Sequence, residues 1–570
     1  MEKRWEILPR IPDNFKEKFP EINPIILQLL YNRGLRFQKE IDEFLLPDYS
    51  QDIHDPFIFQ DMEKAVARIY RAIKNKEKIL IYGDYDTDGV TATSVLFNAF
   101  KTLGAQDLLT YLPDREKEGF GLNKKAIENF VSQEVNLIVT CDNGTTNVEE
   151  VDLAASSGVD VIITDHHLES NNLPKAYAII NPNLGREKYP FRGLAGVGVA
   201  FKLVQALLAR GSQAASQPQN PEAFEKWLLD LVAIGTVGDM MPILGENRAL
   251  VKYGLVVLNK TKNLGLRYLI EKAGLALGNL DAHSIAFQIS PRLNSAGRMN
   301  HANDALELLL VEAQSRAEEL AEKLNSLNTS RQKEIDGISE GLKKELGEAP
   351  KAKILLAEGE WKIGIIGIIA ARLLDWYHRP ALVFSTKGDR VKASGRAPSF
   401  FNLFEVLNRL REYYSGFGGH AGAAGFTLKN PADFEKFKED LSELAESQLK
   451  YEDFKPKISV DVEVALKDVN WELEEGLEKF RPFGIGNSQA NFLLKGVDLK
   501  NVETVGQNGT HRRLIVGSSL RKLIYFNADN LIDEMKIGDK IDVIFQLDVN
   551  QWNGQQELQM KVIDLKKNKK

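Results

Sequence analysis

Asp84, Asp86 and Asp88 alternate through the segment GDYDTDG, directly after the apolar run KILIY at 78–82. Carboxylates crowded this tightly repel one another unless a cation holds them, so the cluster is a candidate metal site. The arrangement recurs downstream, where LIVTCDNG delivers Asp142 and Gly144, and VIITDHH delivers Asp165, His166 and His167. Oxygen ligands joined by one or two imidazoles suit Mn²⁺ or Mg²⁺ better than the thiolate-leaning sites of structural zinc. Four or five carboxylates favour two ions over one. The first segment also matches the opening of a calcium-binding EF-hand loop, but the twelfth position is Val95 and a strand precedes it. An acidic turn with a helix cap is the bland alternative for any one segment. Agreement among three strand ends weighs against it.

Such residues converge only if their elements bring them together. From about 60 to 240, runs rich in Ile and Val (ILIYGD, LLTYLPD, NLIVTCD, VIITDHH, YAIINP) alternate with helical stretches, including Val90 to Leu103 and 124 to 132. This pattern predicts an α/β fold with a doubly wound parallel sheet, whose ligand crevice lies at the carboxyl ends of the strands. Residues 195 to 345 read as mostly helical and end in a long charged connecting helix from about Asn303 to Gly347, weakly interrupted around Asn325 to Thr329. A second, smaller α/β unit runs from about Ala352 to Gln448, followed by a linker near 449–457. In the tail, FLLKGVDLK, RRLIVG, RKLIYFN, KIDVIFQLDV and LQMKVIDL make five strands, with a hairpin turn at Asn553-Gly554, as in a small OB-like β-barrel. The resulting division is 1–55, an N-terminal helical cap; 56–302, catalytic; 303–347, the connecting helix; 348–448, substrate-binding; and 455–570, the OB-like domain.

A chain of 570 residues is too long for one core, and about 100 to 200 residues per domain gives roughly three or four domains. The single cysteine, Cys141, excludes an internal disulfide framework and reads as a buried filler. No signal-peptide core and no membrane-length apolar run is visible, so a cytoplasmic protein without membrane contact is expected. The net charge of −7 argues against coating by nucleic acid, yet residues 491–570 carry 13 Lys and Arg against 10 Asp and Glu. His511, Arg512, Arg513, Arg521 and Lys522 flank the strands of this tail, with Tyr525 and Phe526 as stacking candidates. Strand alternation turns only one of those two rings outward. GIIGIIA at 364–370 lacks the glycine spacing of a dinucleotide site and reads as close helix packing.

Asp165-His166-His167 and GDYDTDG together resemble the motifs of the DHH phosphoesterases. The likeness extends along nearly the whole chain: FRGLAGVGVAFKL, GTVGDMMP, PRLNSAGRM, SGRAP, FGGHAGAAG and PFGIGN resemble, in order, the RecJ family of bacterial single-stranded-DNA exonucleases. One departure stands at Lys362, where that family generally has histidine.

The resemblance implies that Asp84, Asp86, Asp142, His166 and Asp239 hold two Mn²⁺ or Mg²⁺ ions, with His167 at the scissile phosphate and Asp165 orienting the histidines. Asp88 either caps the following helix or acts from behind the ligands. Arg115, Arg298, Ser394, Gly395, Arg396, Gly418, Gly419 and His420 match its substrate-side motifs, and guanidinium, hydroxyl, imidazole and exposed amides are phosphate chemistry. The implied activity is 5′-to-3′ hydrolysis of single-stranded DNA to mononucleotides in repair and recombination, by a monomer working beside the nucleoid. Its implied partners are single-stranded DNA, single-strand-binding protein and a repair helicase. A ligand-less scaffold and a nuclease acting on RNA or short oligonucleotides are the alternatives. The first is disfavoured because every matched ligand is present.

Overall fold

A computed structural model describes residues 3–169, 172–211, 216–506, 509–528, 530–552 and 554–568. The chain divides into two compact units, one of Tyr49–Pro242 with Ala249–Lys455, the other of Met1–Asp48, Ile243–Arg248 and Pro456–Lys570. Among the described residues no helix is long and apolar enough to cross a membrane.

The larger unit contains a five-stranded, wholly parallel sheet in the spatial order Leu108–Tyr111, Ile79–Tyr82, Leu137–Cys141, Asp160–Thr164, Ala178–Ile180. Ile79–Tyr82 and Leu137–Cys141 are buried along their full length, as expected of strands covered on both faces. The strand order reverses where these two lie side by side, and a doubly wound sheet opens its ligand crevice at such a point. Cys141 is fully buried, with its sulfur 3.3 Å from the Thr93 hydroxyl.

The second sheet of this unit is ordered Tyr414–His420, Ala423–Leu428, Lys392–Arg396, Ala381–Ser385, Leu355–Gly359, and only its last pair is parallel. The expected linker is partly packed, since Phe454 is buried in the core of this sheet.

The long connecting helix differs from expectation. It is two helices, Asn303–Leu310 and Gln314–Leu346, and the second runs unbroken through Asn325 to Thr329. The polar side chains of that stretch have partners that spare the backbone ladder. Thr329 donates to the Asn325 carbonyl at 2.9 Å, Asn328 accepts from Arg331 at 2.7 Å, and Asn325 accepts from Arg292 at 3.0 Å.

In the smaller unit, five strands close a barrel. Phe492–Val505, His511–Val516 and Arg521–Tyr525 run in sequence, Gln555–Lys567 pairs with the third, and Lys540–Trp552 returns to the first. Trp552 faces Gln555, the register of a two-residue turn; Asn553 lies outside the described residues, and Gly554 has φ +79°. Leu27, Leu30, Ile41 and Phe44 share one core with Phe492, Leu514 and Phe545 of the barrel. The amino-terminal segment is not only helical, because Arg4–Ile7 pairs in parallel with Lys457–Val460. Four residues whose partner lies over 400 positions away carry no local strand signal.

Candidate active site

The turn after Ile79–Tyr82 is built on small residues. A Cβ at Gly83 would stand 2.0 Å from the Thr93 hydroxyl, and one at Gly89 would stand 2.6 Å from the Asp84 backbone. Asp86 is the N-cap of the Thr87–Thr102 helix, accepting from the amides of Asp88 at 2.9 Å and Gly89 at 3.1 Å. Asp88 therefore does not cap that helix. Its carboxylate accepts instead from Gly196 at 2.6 Å and Val197 at 2.8 Å, the first amides of the Gly196–Ala209 helix. Of the two roles the sequence left open for Asp88, the first belongs to Asp86, because Asp86 holds the N-cap position and both Asp88 oxygens are taken by the amides of Gly196 and Val197.

Asp142 leaves the Leu137–Cys141 strand with φ +63°, a left-handed conformation uncommon outside glycine and associated with functional sites. Gly196 presses on it so closely that a Cβ there would lie 2.7 Å from Asp142 Oδ1. Asp239 is the C-cap of the Leu229–Gly238 helix, and Met240 beside it also has positive φ, +59°.

These elements bring the acids and imidazoles together. His166 Nε2 lies 3.1 Å from Asp142 Oδ1, 3.6 Å from Asp239 Oδ2 and 3.9 Å from Asp88 Oδ2. Among the described residues, Asp84, Asp86 and Asp142 form one group whose ligand atoms lie within 4.8 Å of one another; Asp142, His166 and His167 form a second, and Asp88, His166 and Asp239 a third. Asp84 Oδ1 and Asp142 Oδ1 are buried and make no hydrogen bond, the nearest polar group to the latter being the His166 imidazole. Buried carboxylate oxygens are ordinarily paired, so these two fit a metal ion.

The electrostatics agree. Burial, then repulsion from neighbouring aspartates, holds Asp84, Asp142 and Asp239 well above the usual carboxylate range, and raises Asp88 to about 7. Burial lowers His166 to about 4. His167 rises to about 9: burial opposes this, but its Nδ1 lies 2.8 Å from Asp165 Oδ1. Asp165 is buried yet held below the usual range by the same contact, and it also accepts from the amides of His166, His167 and Thr145.

Asp84, Asp86, Asp142, His167, Asp239, Arg115 and Arg298 line a cavity of about 280 Å³. The Arg115 guanidinium lies 4.8 Å from the Tyr85 ring, and Arg298 donates to the Gly364 carbonyl at 3.0 Å. Burial lowers Arg298 to about 9, with Arg115, Arg331 and Arg396 adding repulsion. Gly364 is indeed a packing glycine, since a Cβ there would meet the Arg298 carbonyl at 2.3 Å.

Ser394, Gly395 and Arg396 do not line the cavity; they lie on the Lys392–Arg396 strand, where Arg396 donates to the Gly395 carbonyl at 2.8 Å and the Ser394 hydroxyl at 3.3 Å. Gly418, Gly419 and His420 are exposed on the edge strand Tyr414–His420, and Ala423 pairs with both His420 and Arg396. Lys362 lies 3.5 Å from Glu334.

Several residues at the site carry no signal in the sequence. Asn181 donates to the His167 carbonyl at 2.9 Å, and Asn294 on the cavity wall accepts from the Thr87 amide at 2.8 Å. Arg331 is buried on the long helix with no acceptor for its Nε–H. In the barrel unit, Arg512 donates to the Gly509 carbonyl, Arg513 to Glu503 and Arg521 to the Val469 carbonyl, while Lys522 lies 3.9 Å from Glu557. Tyr525 is buried and Phe526 is exposed beside His511, as strand alternation requires.

Residues 78–236 match the DHH family N-terminal domain, 351–447 the DHHA1 domain, and 460–564 the RecJ OB domain. The chain is 37% identical over 569 residues to the single-stranded-DNA-specific exonuclease RecJ of Bacillus subtilis (98% of this chain, 70% of that one). It is 31% identical over 589 residues to that of Escherichia coli K12 (99% of each). Its structure resembles the crystal structure of RecJ in complex with Mn²⁺ from Thermus thermophilus, with a TM-score of 0.83 at 26% identity, covering 100% of this chain and 80% of that one.

Proposed function

The chain belongs to the RecJ family, and from that premise we propose that it is a metal-dependent exonuclease that degrades single-stranded DNA from the 5′ end to 5′-mononucleotides in repair and recombination. The observation that carries the reading is the convergence of Asp84, Asp142, His166 and Asp239 with two buried carboxylate oxygens that make no hydrogen bond.

On this reading Asp84, Asp86, Asp142, His166 and Asp239 hold two Mn²⁺ or Mg²⁺ ions. When bound, such ions would lower the pKa of a water and offset negative charge on the phosphodiester. The chain's own groups do the rest. Asp88 anchors the turn that carries Asp84 and Asp86 to the Gly196–Ala209 helix. Asp165 fixes the His167 ring through Nδ1, which directs Nε2–H towards a phosphate oxygen. Arg115 and Arg298 engage phosphates at the cavity, and Ser394, Gly395, Arg396, Gly418, Gly419 and His420 extend the phosphate track along the second sheet. Residues 56–302 then do the hydrolysis, 348–448 grip the strand and 455–570 hold it. The setting is cytoplasmic, the protein a monomer, with single-strand-binding protein and a helicase as partners.

The test is incubation with Mn²⁺ and single-stranded DNA labelled at either end, beside Asp142→Ala, a matching duplex and an RNA of equal length. Early release of 5′ mononucleotides from the DNA single strand alone, absent in the variant and in excess chelator, is the expected result. Binding without cleavage in both Mn²⁺ and Mg²⁺ would overturn the reading in favour of a scaffold.

A further inference from the structure

The loop between the strand Leu108–Tyr111 and the helix Lys124–Ser132 displays one aromatic ring at the cavity. Phe120 is 46% exposed, although Leu112 and Leu122 of the same loop are buried. Its neighbours Gly119 and Gly121 have φ of +84° and +81°, left-handed values that only glycine adopts without strain, and together they turn the ring out of the loop.

The loop is pinned rather than slack. Glu118 accepts from the Tyr111 hydroxyl at 2.6 Å, the Asp114 amide at 2.6 Å and Asn123 at 3.0 Å. Asn147 brackets Leu122 through both its amide and its carbonyl, and the Tyr82 hydroxyl donates to the Gly121 carbonyl at 3.2 Å. A Cβ at Gly121 would stand 2.6 Å from Asn147 Oδ1 and on a left-handed backbone, so a side chain there would be strained. The Phe120 ring sits 5.1 Å from the His167 ring on the cavity wall that Asp84 and Asp142 also line.

A single exposed ring is ordinary on a protein surface, but this one is fixed at the cavity by a pinned loop and two left-handed glycines. His167 does not need the ring for its orientation, because Asp165 already fixes Nδ1. Every nucleobase offers a π-face, and only an unpaired base is free to leave its own stack and lie on a protein ring. We infer that Phe120 is the stacking platform for a base next to the scissile phosphate, a contact that selects single strands without reading their sequence. The inference rests on the proposed nuclease reading of the cavity.

The experiment uses the full chain with Mn²⁺ and 5′-phosphorylated oligodeoxynucleotides, either intact or carrying an abasic tetrahydrofuran residue at one of the two 5′-terminal positions. Phe120→Ala should lower kcat/KM on the intact strand roughly tenfold, the worth of one base–aromatic stack. The abasic strand should cost the unmodified protein a similar factor, with little further loss when both changes are combined. Phe120→Tyr should restore activity on the intact strand, and Phe120→Leu, which fills similar space without a π-face, should not. Equal losses for Phe120→Ala on intact and abasic strands, or full rescue by leucine, would overturn the stacking role while leaving the nuclease reading in place. No cleavage of the intact strand by the unmodified protein would overturn both.

Discussion

Asp88 and Gly196, 108 residues apart, are joined by a hydrogen bond of 2.6 Å, and the other oxygen of the same carboxylate takes the amide of Val197. A charge at a helix amino terminus is favourable, and a buried amide left without an acceptor is costly. Asp88→Ala strands both amides and should destabilise the larger unit by about 3 kcal/mol. Asp88→Asn keeps one acceptor and should cost less than the alanine variant. Denaturant titration of both variants checks the order.

The acids at the cavity trade stability for function. Asp142 is buried against Asp84 and Asp239 and held above its usual range by burial and by its neighbours, so neutralising it should relieve repulsion. Asn also tolerates the left-handed backbone at this position. In chelator, Asp142→Asn should be more stable than the unmodified protein by about 1 kcal/mol. Added Mn²⁺ should raise the melting temperature of the unmodified protein, by mass action, and leave the variant nearly unmoved and inactive. Parallel thermal melts with and without Mn²⁺ read out both effects.

In the smaller unit, Arg248 is 1% exposed, and its guanidinium donates to the carbonyls of Phe44, Lys479, Phe480 and Arg481. Its charge is met by carbonyl dipoles, and burial lowers its pKa to about 10. Arg248→Ala orphans the four acceptors and should destabilise this unit by about 3 to 5 kcal/mol. Arg248→Lys cannot span four carbonyls and should recover less than half of the loss. Hydrogen exchange at residues 479–481 would localise the effect.

A pH dependence follows from Glu474. It is 6% exposed, its Oε2 has no donor, and burial, aided by Asp548 and Glu478 and opposed by Arg481, raises it to about 7. A carboxyl raised on folding contributes its full stability below its unfolded value, near 4.5, and loses it as pH rises through the folded value. Between pH 4.5 and about 7 the unfolded chain ionises while the folded chain keeps its proton, so stability falls with rising pH. Glu474→Gln should remove this slope, gaining about 3 kcal/mol on the unmodified protein at pH 8 and under about 1 kcal/mol at pH 5. Denaturant midpoints across that range check the sign.

What the sequence by itself determined is the chemistry and its local carriers. Asp84, Asp142 and His166 lie within two residues of the ends of apolar strands, and parallel strands release their next residues at the same edge of the sheet, so their convergence was legible from pattern alone. The five tail strands and the one outward ring of Tyr525 and Phe526 followed from alternation, which is also a local property. Tertiary structure decided whatever depends on a partner far along the chain. The task of Asp88 is set by an amide 108 residues away, the strand Arg4–Ile7 exists only against Lys457–Val460, and the helix through Asn325 to Thr329 stays whole because Arg292 and Arg331 engage its polar side chains. The role given to Phe120 has the same origin. One aromatic letter between two glycines is an ordinary loop until folding sets its ring 5.1 Å from His167.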